Sequence, residues 1–243
     1  MSVTYNEDGY PIFSGGEDFV YASEFKGKTI TDLLSNNGCI VDCKGIESIT
    51  RYKLYDANIT ELINIGDLKT IETYAFYVPS NSSRKGIGTK VLNFENVTSI
   101  ASNAFYGNSL IEKMYFPKLT GLLDSNTFYN CTSLNEINLG EKITMVGSGA
   151  FYQCGSIKNI ELPATITAIG QNAFYQCTNL ESLIIRQTKT LVTLANVSAF
   201  TGTKLLDGGK VYVPSNLLSN YNSASGQWAT FRNNGGQFAA IEE

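Results

Sequence analysis

With no histidine anywhere in its 243 residues, this chain carries its reactive chemistry on thiols and carboxylates. There are five cysteines, an odd number. Three of them, Cys131, Cys154 and Cys177, fall at an exact 23-residue interval. Thiolates can attack carbonyl carbon, ligate zinc or pair as disulfides. The first two roles usually lean on a neighbouring imidazole, which this chain cannot supply. A cysteine returning to one slot of a repeated unit reads instead as a small buried hydrophobe. Asn108 takes that slot one unit earlier. Cys39 and Cys43, four apart, could pair in an exported protein. Among the carboxylates, Glu17/Asp18 and Glu242/Glu243 are local surface charge. Glu136 and Glu161 could meet from different units as a glycosidase pair, but nothing sets them above the other acids. No P-loop, no Gly-x-Gly-x-x-Gly after a strand and no EF-type calcium loop occurs. The expectation is a non-catalytic chain with no catalytic residue, cofactor or metal site.

What would position these residues is a repeat. Ala104-Phe105-Tyr106, Thr127-Phe128-Tyr129, Ala150-Phe151-Tyr152 and Ala173-Phe174-Tyr175 recur every 23 residues, with Ala75-Phe76-Tyr77 29 residues before and Ala199-Phe200 26 residues after. A fixed period in this range marks a solenoid of stacked coils. From Phe151 the chain continues through Ile157, Ile160, Leu162, Pro163, Ile166 and Ile169. From Phe128 the same offsets give Leu134, Ile137, Leu139, Gly140, Ile143 and Val146. Ile160-Glu161-Leu162 and its equivalents alternate as a short half-buried strand. Pro163 and Pro117, which cannot donate to a ladder, suit the strand exit. The Ile166-x-x-Ile169 step reads as turns or partial 3₁₀ arcs. Phe, Leu and Ile at these offsets are core. Tyr106, Tyr129, Tyr152 and Tyr175 read as a ladder on the outer flank, since a phenol tip must reach water or a partner.

The unit Ile-x-x-x-Ala-Phe-Tyr-x-Cys-x-x-Leu-x-x-Ile-x-Leu-Pro-x-x-Ile-x-x-Ile resembles the BspA-like leucine-rich repeat, common in bacterial surface antigens. The resemblance spans about 59–213 and is strongest from Ile100 to Ile185. It implies a leucine-rich-repeat right-handed solenoid, its short parallel strands forming one sheet between mixed α/β caps. The chain departs from the pattern at Ser80–Thr89 and Arg186–Asn196, both loops by composition. Val211-Tyr212-Val213-Pro214 with Leu217, Tyr221 and Trp228 resembles the family's C-terminal cap.

The chain is therefore expected to divide into an arm (1–16), a divergent N-terminal cap (17–58), the solenoid (59–210) and a C-terminal cap (211–243). Within the first cap, Thr29 could start a short helix over Ile30–Asn36 that Gly38 ends. Trp228, the lone tryptophan, should plug the last coil, and Asn233-Asn234-Gly235-Gly236 should turn into a short terminal strand.

Net charge of −4, with 16% charged residues and no basic run, argues against nucleic acid, which needs clustered Lys and Arg. No stretch approaches the ~20 apolar residues of a membrane span. The start, Met1 to Asp8, has neither a basic nor an apolar region of leader type. Either a leader was trimmed from a surface protein or the protein is made without one. The Asn-x-Ser/Thr sites at Asn58, Asn81, Asn96, Asn130 and Asn196 read as chance in an Asn-rich chain.

A partner would meet the strand residues that face solvent. These are Asn93, Lys113, Tyr115, Glu136, Asn138, Asn159, Glu161, Ser182 and Ile184. Core slots repeat and these do not, which suits a protein-binding surface centred on Tyr115, Asn138 and Glu161. The resemblance favours a surface module for adhesion or recognition of a protein or glycan. The alternative is a structural part of a larger assembly, such as a phage virion or intracellular scaffold, docked through the arm.

Overall fold

A computed structural model describes residues 2–5, 11–14 and 39–242, and over them the chain winds into stacked coils. The proposed Ile30–Asn36 helix and the Glu17/Asp18 pair lie outside the described residues. Each coil has three flanks, and hydrogen bonds join coil to coil on every one.

The first flank is the strand that the Ile-x-Leu alternation predicts. It comprises β3 (Cys39–Asp42), β5 (Ile59–Ile63), β7 (Val91–Asn93), β9 (Lys113–Tyr115), β11 (Glu136–Asn138), β13 (Asn159–Leu162), β15 (Ser182–Ile185) and β17 (Lys210–Val213). Pairing along it is parallel throughout. The ladder divides into segments, one break falling between β11 and β13.

The second flank covers the Ile-x-x-Ile step, where turns were expected. It too carries parallel strands: β4 (Ser48–Ile49), β6 (Thr70–Ile71), β8 (Ser99–Ile100), β10 (Thr120–Leu123), β12 (Lys142–Val146), β14 (Ala168–Ile169) and β16 (Thr193–Leu194). Most are two residues long, too short for a period-two pattern to show in the sequence.

The third flank is the Phe-Tyr turn. Leu54, Phe76, Phe105, Phe128, Phe151 and Phe174 each donate a backbone N–H to the residue preceding the aromatic of the next coil, at 2.8–3.0 Å. The turn is bracketed by left-handed residues. Asn103, Asn126, Gly149 and Asn172 precede it at φ of 54–63°, and Gly107, Asn130, Gln153 and Gln176 follow at 57–76°. Such angles favour Gly and Asn, which accounts for Gly and Asn at many of the variable positions flanking the motif. At Gly107 a Cβ would also run into Val78 of the preceding coil.

Inside, the phenylalanines form a continuous file. Ring centroids lie 5.2 Å apart for Phe76–Phe105, 5.6 Å for Phe105–Phe128, 5.4 Å for both Phe128–Phe151 and Phe151–Phe174, and 6.1 Å for Phe174–Phe200. These distances sit close to the ~4.8 Å strand repeat, so stacking and strand pairing agree in pitch.

The cysteine ladder is part of this interior. Cys131, Cys154 and Cys177 are free and fully buried, each thiol donating to the carbonyl of the phenylalanine 26 residues earlier, at 2.9–3.2 Å. Asn108 does the same job with a longer reach, because the 80–89 insertion pushes the preceding coil away in sequence. Its amide donates to Phe76 O (2.7 Å) and accepts from Ile87 N (3.0 Å), which pins the insertion to the stack. Arg84 adds an ion pair to Asp56 at 2.7 Å. Cys43 is also a free buried thiol. As Cys43 is free, the Cys39–Cys43 bridge is not formed. Burial pushes the Cys43, Cys131 and Cys177 thiols up to about 12, and Cys154 well above the ordinary value. Native protein treated with a maleimide should therefore keep these four thiols unmodified, as read by mass spectrometry, and urea should expose them all. Rapid labelling of Cys131, Cys154 or Cys177 in native protein would contradict the buried ladder.

At the N-terminal end the coils begin earlier than expected. Residues 39–58, assigned to a divergent cap, build a coil like the rest, with Leu54 in the phenylalanine slot and Tyr55 in the tyrosine slot. The segment read as an arm carries β1 (Ser2–Tyr5) and β2 (Pro11–Ser14), an antiparallel hairpin whose second strand pairs with β3. At the other end, β17 leads through α1 (Leu218–Ser223) and α2 (Gly226–Asn233) to β18 (Gln237–Ala240), which pairs parallel to β17. Trp228 lies between, donating Nε1–H to Val192 O at 2.7 Å and packing on Phe200.

Candidate functional site

All nine face residues lie on the solvent side of the first flank, exposed or half-exposed. Between them Leu92, Met114, Ile160, Leu183 and Val211 point inward and are buried. Strand register sets two solvent columns. One runs Val91, Lys113, Glu136, then beyond the break Asn159, Ser182, Lys210. The other runs Asn93, Tyr115, Asn138, then Glu161, Ile184, Tyr212. The nine residues expected from the sequence fall in both columns, which Val91, Lys210 and Tyr212 extend.

The side chains on this face are engaged with one another across rungs. Glu136 accepts from Lys113 Nζ (2.7 Å) and from Tyr115 Oη (2.6 Å). Arg186 Nε donates to Glu161 at 2.6 Å, and Lys204 pairs with Glu181 at 3.4 Å. Hydrogen bonds from Lys113 and then Tyr115 hold the Glu136 carboxyl below its usual range, and the same carboxylate raises Lys113 and Tyr115. A glycosidic general acid needs the opposite shift. Glu136 is thus an ionised bridge partner, Glu161 pairs with Arg186, and the face presents charged groups of both signs.

Two concavities open here. A shallow one of about 320 Å³ is lined by Tyr115, Glu136, Asn138, Glu141, Glu161 and Pro163, at the break between β11 and β13. It gathers the Tyr115–Asn138–Glu161 trio in one place. Core packing is looser there, since Ile137 is only half-buried where its equivalents are fully so. The larger, of about 830 Å³, lies toward the C-terminal end, floored by Asn159, Ser182 and Ile184 with Lys210 and Tyr212, and walled by Arg186, Lys204, Asp207 and Glu242. Lys210, Tyr212 and the 204–209 wall were not among the expected site residues. Carrying the Ser182/Ile184 alternation one coil further, into the strand assigned to the cap, would have found the first two.

The tyrosine ladder occupies a different flank and has a different character. Tyr77, Tyr106, Tyr129, Tyr152 and Tyr175 stack at 4.4–4.7 Å. Both faces of the inner rings are covered by neighbours, so the flank offers a ligand only edges and hydroxyls. Among the described residues, no group of three or more Cys, Asp or Glu could hold a metal ion, and no helix is long and apolar enough to cross a membrane.

Three solved bacterial proteins show similarity. A leucine-rich repeat protein from Bacteroides ovatus is 21% identical over 84% of this chain and 51% of its own (TM-score 0.45). The leucine-rich repeat protein of T. pallidum is 21% identical over 61% and 64% (TM-score 0.42). A leucine-rich cell surface protein from Faecalibacterium prausnitzii A2-165 is 18% identical over 77% and 63% (TM-score 0.37). The chain thus spans between half and two thirds of the length of these proteins. No curated protein matches it. Residues 98–224 match the BspA-type leucine-rich repeat region in six copies, and with the three-flanked coils and the Phe file this places the chain in the BspA-type leucine-rich-repeat family.

Proposed function

We propose that the chain is a non-catalytic recognition module that binds a protein partner through the solvent face of its first flank. One observation carries this reading: core slots repeat from coil to coil, while the face residues differ at nearly every rung on the same rigid frame. A surface free of packing constraints can vary to fit a partner, and concave, mixed-charge faces with partly exposed tyrosines make good anchors. The shallow concavity holding Tyr115, Asn138 and Glu161 and the adjoining C-terminal cleft form the contact zone. Family membership favours display at a bacterial surface. Docking through a free arm loses support, because residues 2–5 and 11–14 are paired into the sheet.

The test uses ligands selected against the whole chain from a displayed peptide library, with a glycan array run in parallel. The Tyr115→Ala/Asn138→Ala/Glu161→Ala variant should lose the selected peptides while melting at the wild-type temperature. Unchanged peptide binding would move the site elsewhere, and selection of glycans alone would replace the protein partner with a carbohydrate.

A further inference from the structure

The tyrosine row is longer than the repeat requires. Tyr55 stacks on Tyr77 at 5.2 Å, which extends the file to six rings, and Tyr52 stacks on Tyr74 at 4.9 Å in a second column beside it. Within the file the central rings are nearly parallel, at 6° for Tyr106–Tyr129 and 4° for Tyr129–Tyr152. Stacking at 4.4–4.7 Å sets each phenol from Tyr77 to Tyr175 directly beside the next along the row. Beneath it runs the phenylalanine file, which has no hydroxyl. The end rings Tyr52 and Tyr55 are 49% and 36% exposed, so an oxidant can reach the row from solvent.

We propose that this row is a site of intramolecular oxidative coupling, in which neighbouring tyrosines join as dityrosine and tie successive coils covalently. The oxidant is a one-electron acceptor of the peroxidase or photo-oxidised metal-complex class. Each phenol gives one electron to an oxidant equivalent and its hydroxyl proton to water, leaving a phenoxyl radical. Two such radicals on adjacent rungs form one bond between ring carbons ortho to oxygen. The two displaced ring hydrogens return to the oxygens and restore both phenols. In sum, two tyrosines yield one dityrosine, two protons and two electrons, the electrons reducing two equivalents of oxidant. A radical formed at an exposed end can pass inward, because a stacked neighbour of identical chemistry can take it up at no net energy change. Burial and then the neighbouring phenols push Tyr129 up to about 12, so Tyr129 meets the oxidant as a phenol with its hydroxyl hydrogen in place.

The experiment is visible-light photolysis of dilute native protein with tris(bipyridyl)ruthenium(II) and persulfate, followed by trypsin and mass spectrometry. Lys113 and Lys118, Lys142, and Lys158 separate Tyr106, Tyr129, Tyr152 and Tyr175 onto different peptides. The expected result is linked peptides pairing Tyr106 with Tyr129, Tyr129 with Tyr152 and Tyr152 with Tyr175, in a yield independent of protein concentration and lost in urea. Tyr129→Phe keeps the ring and the stack but removes two of the five neighbouring pairs. Both Tyr129 links should vanish while a Tyr77–Tyr106 link, on the side of the exposed end, persists. Links formed only between molecules, links equally abundant after unfolding, or no links at all would overturn the proposal.

Discussion

Replacing Phe151 with alanine should remove about 3–5 kcal/mol of stability and lower the melting temperature by roughly 6–20 °C for a chain of this size. Phe151 is fully buried and stacked on both sides, against Phe128 and Phe174 at 5.4 Å each. Its deletion opens a void between two coils that three flanks of hydrogen bonds hold at fixed pitch. The neighbours cannot close in without breaking Phe128 N–Ala150 O and Phe151 N–Ala173 O, both 2.8 Å. The loss should therefore fall near the top of the range. Thermal unfolding followed by circular dichroism measures it, and a change below about 0.5 kcal/mol, the size of a surface substitution, would mean the file carries no such load.

Trp228→Ala should be as costly in energy, again about 3–5 kcal/mol, but different in kind. Trp228 meets Phe200, Tyr221, Phe231 and Phe238 and bonds Val192 O. It closes the open end of the stack, and repeat proteins lose stability by coils, each touching only its neighbours. The variant should fray from the C-terminal side. Amide exchange should rise across 182–242 while residues 59–123 keep their protection. Uniform acceleration along the whole chain would show that the cap is not a local plug.

The solenoid was legible because its core slots are filled by the same residue types at the same offsets. Phe, Leu and Ile at those offsets are buried where the period puts them, and the Asn108 substitution within the cysteine ladder was visible as an exchange of slot. The first coil was hidden. Leu54 in place of Phe, and Tyr52 in place of Asn or Gly, erase the motif while the backbone keeps its left-handed turn at Tyr52 (φ 57°). The second ladder was hidden for a different reason. Two-residue strands carry no alternation, and their pairing follows from the stacking of coils rather than from local preference. On the candidate face, alternation placed all nine residues correctly on the solvent side. It did not show that Tyr115 and Glu136 are bonded to each other, or that Lys210 and Tyr212 extend the surface. Those depend on which residues meet across rungs, which spacing alone does not give.

The claim that stability and recognition reside on different residues of one coil is tested most directly by measuring binding and melting on the same pair of variants. One is Tyr115→Ala/Asn138→Ala/Glu161→Ala on the first flank. The other is Tyr152→Phe/Tyr175→Phe on the tyrosine flank, and peptides selected against the wild type serve as the probe. The first variant should lose binding at an unchanged melting temperature, and the second should keep both. Binding retained by the first variant, or lost by the second while it remains folded, would contradict recognition by the strand face.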